Sequence, residues 1–381
     1  MRVLFASTRG AGHFGPLVPF AAAFMRAGHE VLVAGPHAIA SLAARAALPF
    51  HSVGSPPDDE VAAAFAPIWS PDEAPGAPHV VGEIFIGLLA RAALPGMLGA
   101  VRVWRPDVVV RETMEYASTL AAERWGVPQV RVGVHLEARI DGDLGLNALA
   151  AAPLNALRSA AGLTPDPDAR ALRRSPLFSL APPSLENAGA PPNGVRRFRA
   201  NGHATRPVDV SDPLVYVSFG SEAAASPAHF PALYRAAADA LAELPVRGLM
   251  TVGRDPSDIG PLPPSVRAER WVPQAEVMHQ AAVMVGHGGS GSTLAALAAG
   301  VPQAFVPLFV DGPRNARRVA ELGAGIVVDS PDDLAPAIST LLADPSYRRA
   351  AGDLATEIRA LPPVDEAVEV LARTIGPDSG S

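Results

Sequence analysis

The chain has 381 residues, with 31 basic against 38 acidic side chains, a net charge of −7 and a pI near 5.8. No Arg run is long enough to make a nucleic-acid stripe, so a nucleic-acid partner is not expected. Apolar residues make up 49 % and charged residues 18 %, which supplies packed cores for two or three domains of about 150 residues and excludes disorder of the whole chain. There is no Cys, and all 31 basic residues are Arg. Disulfides, thiolate nucleophiles and thiolate metal sites are excluded, and the lack of Lys excludes a Walker A phosphate loop and any lysine Schiff base.

In chain order, residues 2–7 are a short apolar run, followed by a glycine cluster and then the Ala-rich stretch Leu17 to Arg26, which stops at Gly28. That pattern reads as strand, tight turn and helix, with Gly28 just past the helix end. Val31–Ala34 reads as a second strand, Ile39–Ala47 as a second helix and Val108–Val110 as a later strand, an alternation that predicts a parallel, doubly wound sheet. Arg9 and the glycines interrupt any signal-peptide core at the front. Residues 277–310 carry no charge but hold four Gly between 286 and 291 as well as Pro302 and Pro307, so a membrane helix is not expected there. The expectation is a soluble, cytoplasmic protein with no membrane partner.

The chain also repeats itself. Residues 118–129 read Ser-Thr-Leu-Ala-Ala-Glu-Arg-Trp-Gly-Val-Pro-Gln and residues 292–303 read Ser-Thr-Leu-Ala-Ala-Leu-Ala-Ala-Gly-Val-Pro-Gln, nine of twelve positions matching at an offset of 174. Each copy lies between two apolar strands, so each reads as the helix of a βαβ unit. Two similar α/β domains follow: an N-terminal domain over 1–205, a linker at 206–213 within a Pro/Gly-rich stretch from 181, and a C-terminal domain over 214–363. A closing helix at 364–375, whose return to pack on the N-terminal domain stays open, and a disordered tail at 376–381 complete the expected order.

Two glycine turns stand where a strand hands over to a helix, the place where open α/β sheets bind ligands. Gly10-Ala11-Gly12-His13-Phe14-Gly15 satisfies G-x-G-x-x-G, but the second strand ends Val33-Ala34-Gly35-Pro36 with no acid to hold a ribose, and Glu30 precedes it. An NAD(P)-dependent oxidoreductase therefore stands only as an alternative. His287-Gly288-Gly289-Ser290-Gly291-Ser292-Thr293 follows the strand Val283–Val285 and opens a helix, whose unpaired amides and hydroxyls suit a diphosphate.

Trp271-Val272-Pro273-Gln274, the His287 to Thr293 turn, Gly300-Val301-Pro302-Gln303, Pro307, Asp311 and Asn315 together resemble the nucleotide-sugar signature of inverting GT-B glycosyltransferases, above all the bacterial enzymes that decorate antibiotics and polyketides. With Gly12-His13 and Pro16 at the front, the resemblance spans nearly the whole chain. It implies two Rossmann-like, doubly wound parallel-sheet domains with an interdomain cleft, a TDP- or UDP-linked sugar as co-substrate, and no cofactor or metal.

The resemblance puts Trp271, Val272 and Gln274 on the nucleotide base. It puts Gly12, Ser221, His287, Gly289, Ser290, Gly291, Ser292 and Thr293 at the diphosphate, with His287 helping to neutralise it, and Asp311 on the sugar. His13 becomes the general base that takes the acceptor proton, with Glu112 as its orienting acid and Glu115 as a competitor for that place. The family's sugar-gripping Asp-Gln pair is Asp311-Gly312 here, which points to a deoxysugar donor on TDP. The resemblance makes the apolar, Pro-rich and otherwise irregular stretch from Phe65 to Met97 line the acceptor pocket, with Trp69 and Phe85 from it and Met114 and His135 beside it, while ordinary helix-core packing stays an equal reading for each of these residues. Asp141-Gly142-Asp143 and Asp166-Pro167-Asp168 match a metal-binding Asp-x-Asp pattern but lie away from both turns and read as solvated loops. A non-catalytic sugar-nucleotide-binding module and a nucleotide-sugar 2-epimerase share the expected fold and stay open, as does a homodimer.

Overall fold

The computed structural model describes residues 1–69, 76–136, 145–186, 194–200, 211–308 and 310–375, without the side chains of Trp69, Thr374 and Ile375. Most of the expected linker, the tail at 376–381 and the Asp141-Asp143 pair lie outside the described residues.

The chain divides into two compact units, Met1–Ala181 with Glu186–Asn201 and Leu361–Ser381, and Pro182–Leu185 with Gly202–Ala360. In the first, seven strands, β1 (Arg2–Ala6), β2 (Glu30–Pro36), β3 (Phe50–Val53), β4 (Val108–Glu112), β5 (Gln129–Val132), β6 (Leu177–Ser179) and β7 (Val195–Arg197), form a sheet in the order β3-β2-β1-β4-β5-β6-β7. Every neighbouring pair is parallel. Runs such as Val108-Val109-Val110 are buried throughout, as expected of β-branched residues in a parallel sheet covered on both faces.

One side of that sheet packs on a core of Val3, Phe5, Phe20, Phe24 and Val110, with Phe20, Phe178 and Phe198 in mutual ring contact at centroid distances of 5.8, 5.7 and 5.0 Å. The helix Val18–Arg26 ends as the sequence indicates, with Gly28 at φ 79°, a backbone conformation that glycine adopts without strain. The helix Glu366–Ile375 returns to this same core through Ala367 and Leu371, with Val364 just before it, and Arg26 holds Asp365 at 2.6 Å. Arg199 and Pro363 form a bridge beside it.

In the second unit, β8 (Leu214–Ser218), β9 (Arg247–Thr251), β10 (Val266–Glu269), β11 (Ala281–Gly286), β12 (Gln303–Phe305) and β13 (Gly325–Val327) form a parallel sheet in the order β10-β9-β8-β11-β12-β13. The isolated segment Pro182–Leu185 is tied into this unit at Ser184, whose N–H donates to Glu357 at 3.0 Å and whose carbonyl accepts from Arg318 at 2.7 Å.

The internal repeat occupies equivalent places in the two sheets. Its copies are the helices Ala117–Arg124, between β4 and β5, and Ser290–Ala299, between β11 and β12. Residues 277–310 accordingly fold as a helix end, a strand, a helix and a strand.

The stretch from Phe65 to Met97 departs from the irregular reading. After a short turn and residues outside the description, one continuous helix runs Ala77–Trp104, with π-helical geometry over Val80–Ala90 and Pro95 inside its last section. This helix is long and apolar enough to cross a membrane by composition, but 56 % of its most apolar stretch is buried inside the protein, which makes it a core helix of the first unit.

Candidate functional site

Strand order locates the ligand ends. In both sheets the direction of winding reverses, between β1 and β4 in the first and between β8 and β11 in the second. The crevice beyond the carboxyl ends of those strand pairs is where doubly wound sheets take ligands. The glycine turn with His13 follows β1 and Glu112 ends β4. Ser221 follows β8 and His287 follows β11.

In the first unit, His13 lies on the one-turn helix Ala11–Phe14 with its side chain 25 % exposed, and its Nδ1 is 3.3 Å from Oε1 of the fully buried Glu112. The carboxylate is held on all sides: Thr8 donates to Oε1 from its backbone N–H at 3.2 Å and from its hydroxyl at 2.7 Å, and the Met114 N–H donates to Oε2 at 2.6 Å. Burial pushes the Glu112 carboxyl up, but the adjacent His13 and the hydrogen bonds from Met114 and Thr8 outweigh it, leaving the group below its ordinary value. Glu112 is therefore an ionised partner for the imidazole, able to fix its tautomer and stabilise its protonated form.

Glu115 does not share that place. It accepts from the N–H groups of Ala117 and Ser118 and from the Ser118 hydroxyl, at the start of the helix Ala117–Arg124. Burial is the main influence on it and raises its carboxyl pKa.

Of the expected acceptor residues, Phe85 and Met114 are buried. The Phe85 ring packs on His13 at 5.3 Å between centroids and on Phe65 at 6.2 Å, so it forms a wall behind the imidazole. Met114 serves through its backbone N–H. His135 is half-buried three residues past β5. The side chain of Trp69 lies outside the described residues. Glu30 opens β2 at the edge of the sheet opposite the glycine turn, and a parallel strand cannot bring it back to a bound ribose.

In the second unit, β11 runs into His287-Gly288-Gly289, and the helix Ser290–Ala299 starts with no side chain on its first amides. The repeat makes this informative. Extended back three residues at its own offset, it pairs Glu115 with Gly289: where the first unit fills the helix start with its own carboxylate, the second has no side chain to do so. Its free amides and positive helix end suit an external anion. Ser292 takes a hydrogen bond from Gln274 Nε2 at 2.9 Å, and the Tyr216 hydroxyl lies 2.9 Å from Thr251 Oγ1. Gln274 thus braces the helix start, and Trp271 in the same segment, 64 % exposed with Val272 half-buried beside it, offers an open aromatic face.

Asp311 and Ser290 are joined at 2.6 Å, and Asn315 ties both together, donating to Asp311 Oδ2 at 2.8 Å, to Ser290 Oγ at 3.2 Å and to the Gly288 carbonyl at 2.8 Å. The side-chain hydrogen bonds to the Asp311 carboxylate from Ser290 and Asn315 both fall on Oδ2. Ser221 lies exposed in the first turn of the helix Gly220–Ala225.

Burial drives the His287 imidazole down to about 4, against Asp311 and the Ser218 backbone, which raise it. Without a ligand the imidazole therefore lies below its ordinary value, and an anionic diphosphate beside it would raise it again. Thr293 is 1 % exposed, so its hydroxyl does not reach a ligand at the helix start as those of Ser290 and Ser292 can. The second Asp-x-Asp pair is occupied locally: Asp166 accepts from the Arg170 N–H at 2.7 Å and Asp168 pairs with Arg170 at 3.2 Å. Thr8 and Asn315 are contributors to which the sequence reading gives no role. Thr8 stands next to the first glycine turn and Asn315 inside the quoted signature, but only packing shows what their donors reach.

Residues 22–164 and 238–373 match the N-terminal and C-terminal domains of the Erythromycin biosynthesis protein CIII-like family. Among curated relatives, Elloramycin glycosyltransferase ElmGT of Streptomyces olivaceus is 32 % identical over 97 % of each chain. The L-demethylnoviosyl transferase of Streptomyces niveus is 33 % identical over 95 % of this chain and 100 % of its own. The solved structure of the Streptomyces sp. SF2575 glycosyltransferase SsfS6, complexed with thymidine diphosphate, superposes with a TM-score of 0.77 at 26 % identity, covering 98 % of this chain and 99 % of that one. Matched in both halves by the family and over almost its whole length by these enzymes, the chain belongs to the Erythromycin biosynthesis protein CIII-like family and is a glycosyltransferase of the GT-B fold.

Proposed function

We propose that the protein moves a deoxyhexose from a TDP-sugar to a hydroxyl of a small apolar or aromatic natural-product acceptor, with inversion at the anomeric carbon. The observation that carries this reading is the His13–Glu112 pair at 3.3 Å at the winding reversal of the first sheet. His13 takes the proton from the acceptor hydroxyl, the oxygen attacks the anomeric carbon from the face opposite the diphosphate, and Glu112 stabilises the imidazolium that results. The nucleoside diphosphate departs toward the helix start at Ser290–Ser292, where amides and hydroxyls meet its charge. In this reading no divalent cation takes part.

The TDP in the SsfS6 structure supports the nucleotide, and the L-demethylnoviosyl transferase supports an unusual sugar. Within this chain, Gly312 supports fewer sugar contacts, since a Cβ there would stand 2.5 Å from the His287 carbonyl oxygen. The position closes against backbone and leaves Asp311 to grip the sugar.

The test joins binding to turnover. TDP at 100 times its dissociation constant adds about 2.7 kcal/mol to stability, and a rise in melting temperature with TDP but not with ADP or NAD⁺ is expected. TDP-rhamnose should outperform UDP-glucose on a phenolic acceptor, EDTA should leave turnover unchanged, and His13→Ala should lower it by at least a hundred-fold. Equal or better turnover with UDP-glucose would overturn the donor assignment, and intact O-transfer by His13→Ala would overturn the base.

A further inference from the structure

Glu112 differs from an aspartate at the same place by one methylene and one more rotatable bond, and it is wholly buried. Such a side chain needs something to fix the plane of its carboxylate, and burial alone favours its neutral form. Thr8 answers both needs. It lies two residues past β1, directly before the glycine turn, and is itself buried. Both its donors, the N–H at 3.2 Å and the hydroxyl at 2.7 Å, converge on Oε1, the oxygen that lies 3.3 Å from His13 Nδ1.

The other charged groups around the pair are engaged elsewhere. Arg111 donates from Nη1 to the carbonyls of Glu112, Thr113 and Glu115. Glu115 is bonded to Ser118, and its effect on Glu112 is repulsive.

We propose that Thr8 is a positioning residue for the transfer reaction, holding the Glu112 carboxylate turned toward His13 and ionised. The inference rests on His13 being the base. Its hydroxyl is the separable part: Thr8→Val removes it and keeps shape and backbone N–H, while Thr8→Ser keeps it.

With one donor lost from Oε1, the carboxylate grows more basic and the Glu112–His13 pair binds its proton more tightly. The experiment follows the His13 ring by NMR across pH in the free protein, which needs no acceptor. It adds kcat and donor KM for transfer from TDP-rhamnose to 4-methylumbelliferone. For Thr8→Val the ring titration and the acid limb of kcat should move to higher pH, kcat should fall about ten-fold or more and donor KM should hold, as expected from losing one hydrogen bond to a charged group. Thr8→Ser should restore all of these.

An unmoved titration with kcat within two-fold of the unmodified protein overturns the proposal. So does an equal loss in both variants with the pH profile unchanged, which would mark Thr8 as packing only. If instead Thr8→Val moves the ring titration while His13→Ala keeps its turnover, the general-base reading fails and the placement of Glu112 by Thr8 stands.

Discussion

At the scale of single residues, His287 and the glycines around it show how packing alters a side chain's chemistry. A Cβ at Gly289 would stand 2.3 Å from His287 Nε2, and one at Gly220 2.8 Å from its Cε1, so the imidazole sits in a mould that only glycine leaves open. Desolvation in that mould lowers the half-buried imidazole to about 4. Below an ordinary His value near 6.5 the unfolded chain takes up a proton that the folded chain refuses. Stability from this group is therefore complete above pH 6.5 and falls as pH drops toward 4. Urea unfolding at pH 7.5 and 5 should show this loss, and His287→Gln should shrink it. Gly312 is just as confined, so Gly312→Gln, which installs the amide of the Asp-Gln pair that the resemblance implies, should cost about 1–3 kcal/mol of stability and bring no gain with UDP-glucose, as melting curves and donor kinetics will show. The motif around His287 was legible in the sequence because chemistry needs those residue types in that order. Its charge state was not, because the ring is also confined by Gly220 and influenced by the charge of Asp311, both far away along the chain.

At the scale of elements, strands and their following helices were readable because two periodicities and the glycine stops agree over short distances. The repeat at residues 118 and 292 located the same βαβ unit in both sheets before any coordinate. The helix Ala77–Trp104 was obscured by Pro78, Pro95 and four glycines from 82 to 99, residues that punctuate chains locally but are overridden here by burial on several sides. Its π-helical section Val80–Ala90 widens the helix where Phe85 meets His13, a setting in which such geometry often accompanies function. Phe85→Ala should leave a void behind the imidazole, lowering stability by about 3–5 kcal/mol and kcat more than donor KM, measured by denaturant titration and steady-state kinetics.

At the scale of the molecule, alternating strands and helices indicate parallel, doubly wound sheets in the sequence, while the strand orders and their reversal points emerge only in the fold. The return of Glu366–Ile375 to the first core needed tertiary information, because its apolar face matches many partners. Two substitutions separate what holds it there. Leu371→Ala, fully buried, should cost about 2–5 kcal/mol, whereas Arg26→Ala, which removes an exposed ion pair with Asp365, should cost under about 1 kcal/mol; chemical denaturation of the full chain compares them. That returning helix also bears on how the chain is made. Arg26 and Asp365 are 339 positions apart, and the whole second unit is translated between them. The first sheet emerges from the ribosome early but lacks one wall of its core until the second unit has been synthesised, so its apolar face must wait, exposed to chaperones or to misassembly. Although written first in the sequence, the first unit completes its core only with the helix Glu366–Ile375.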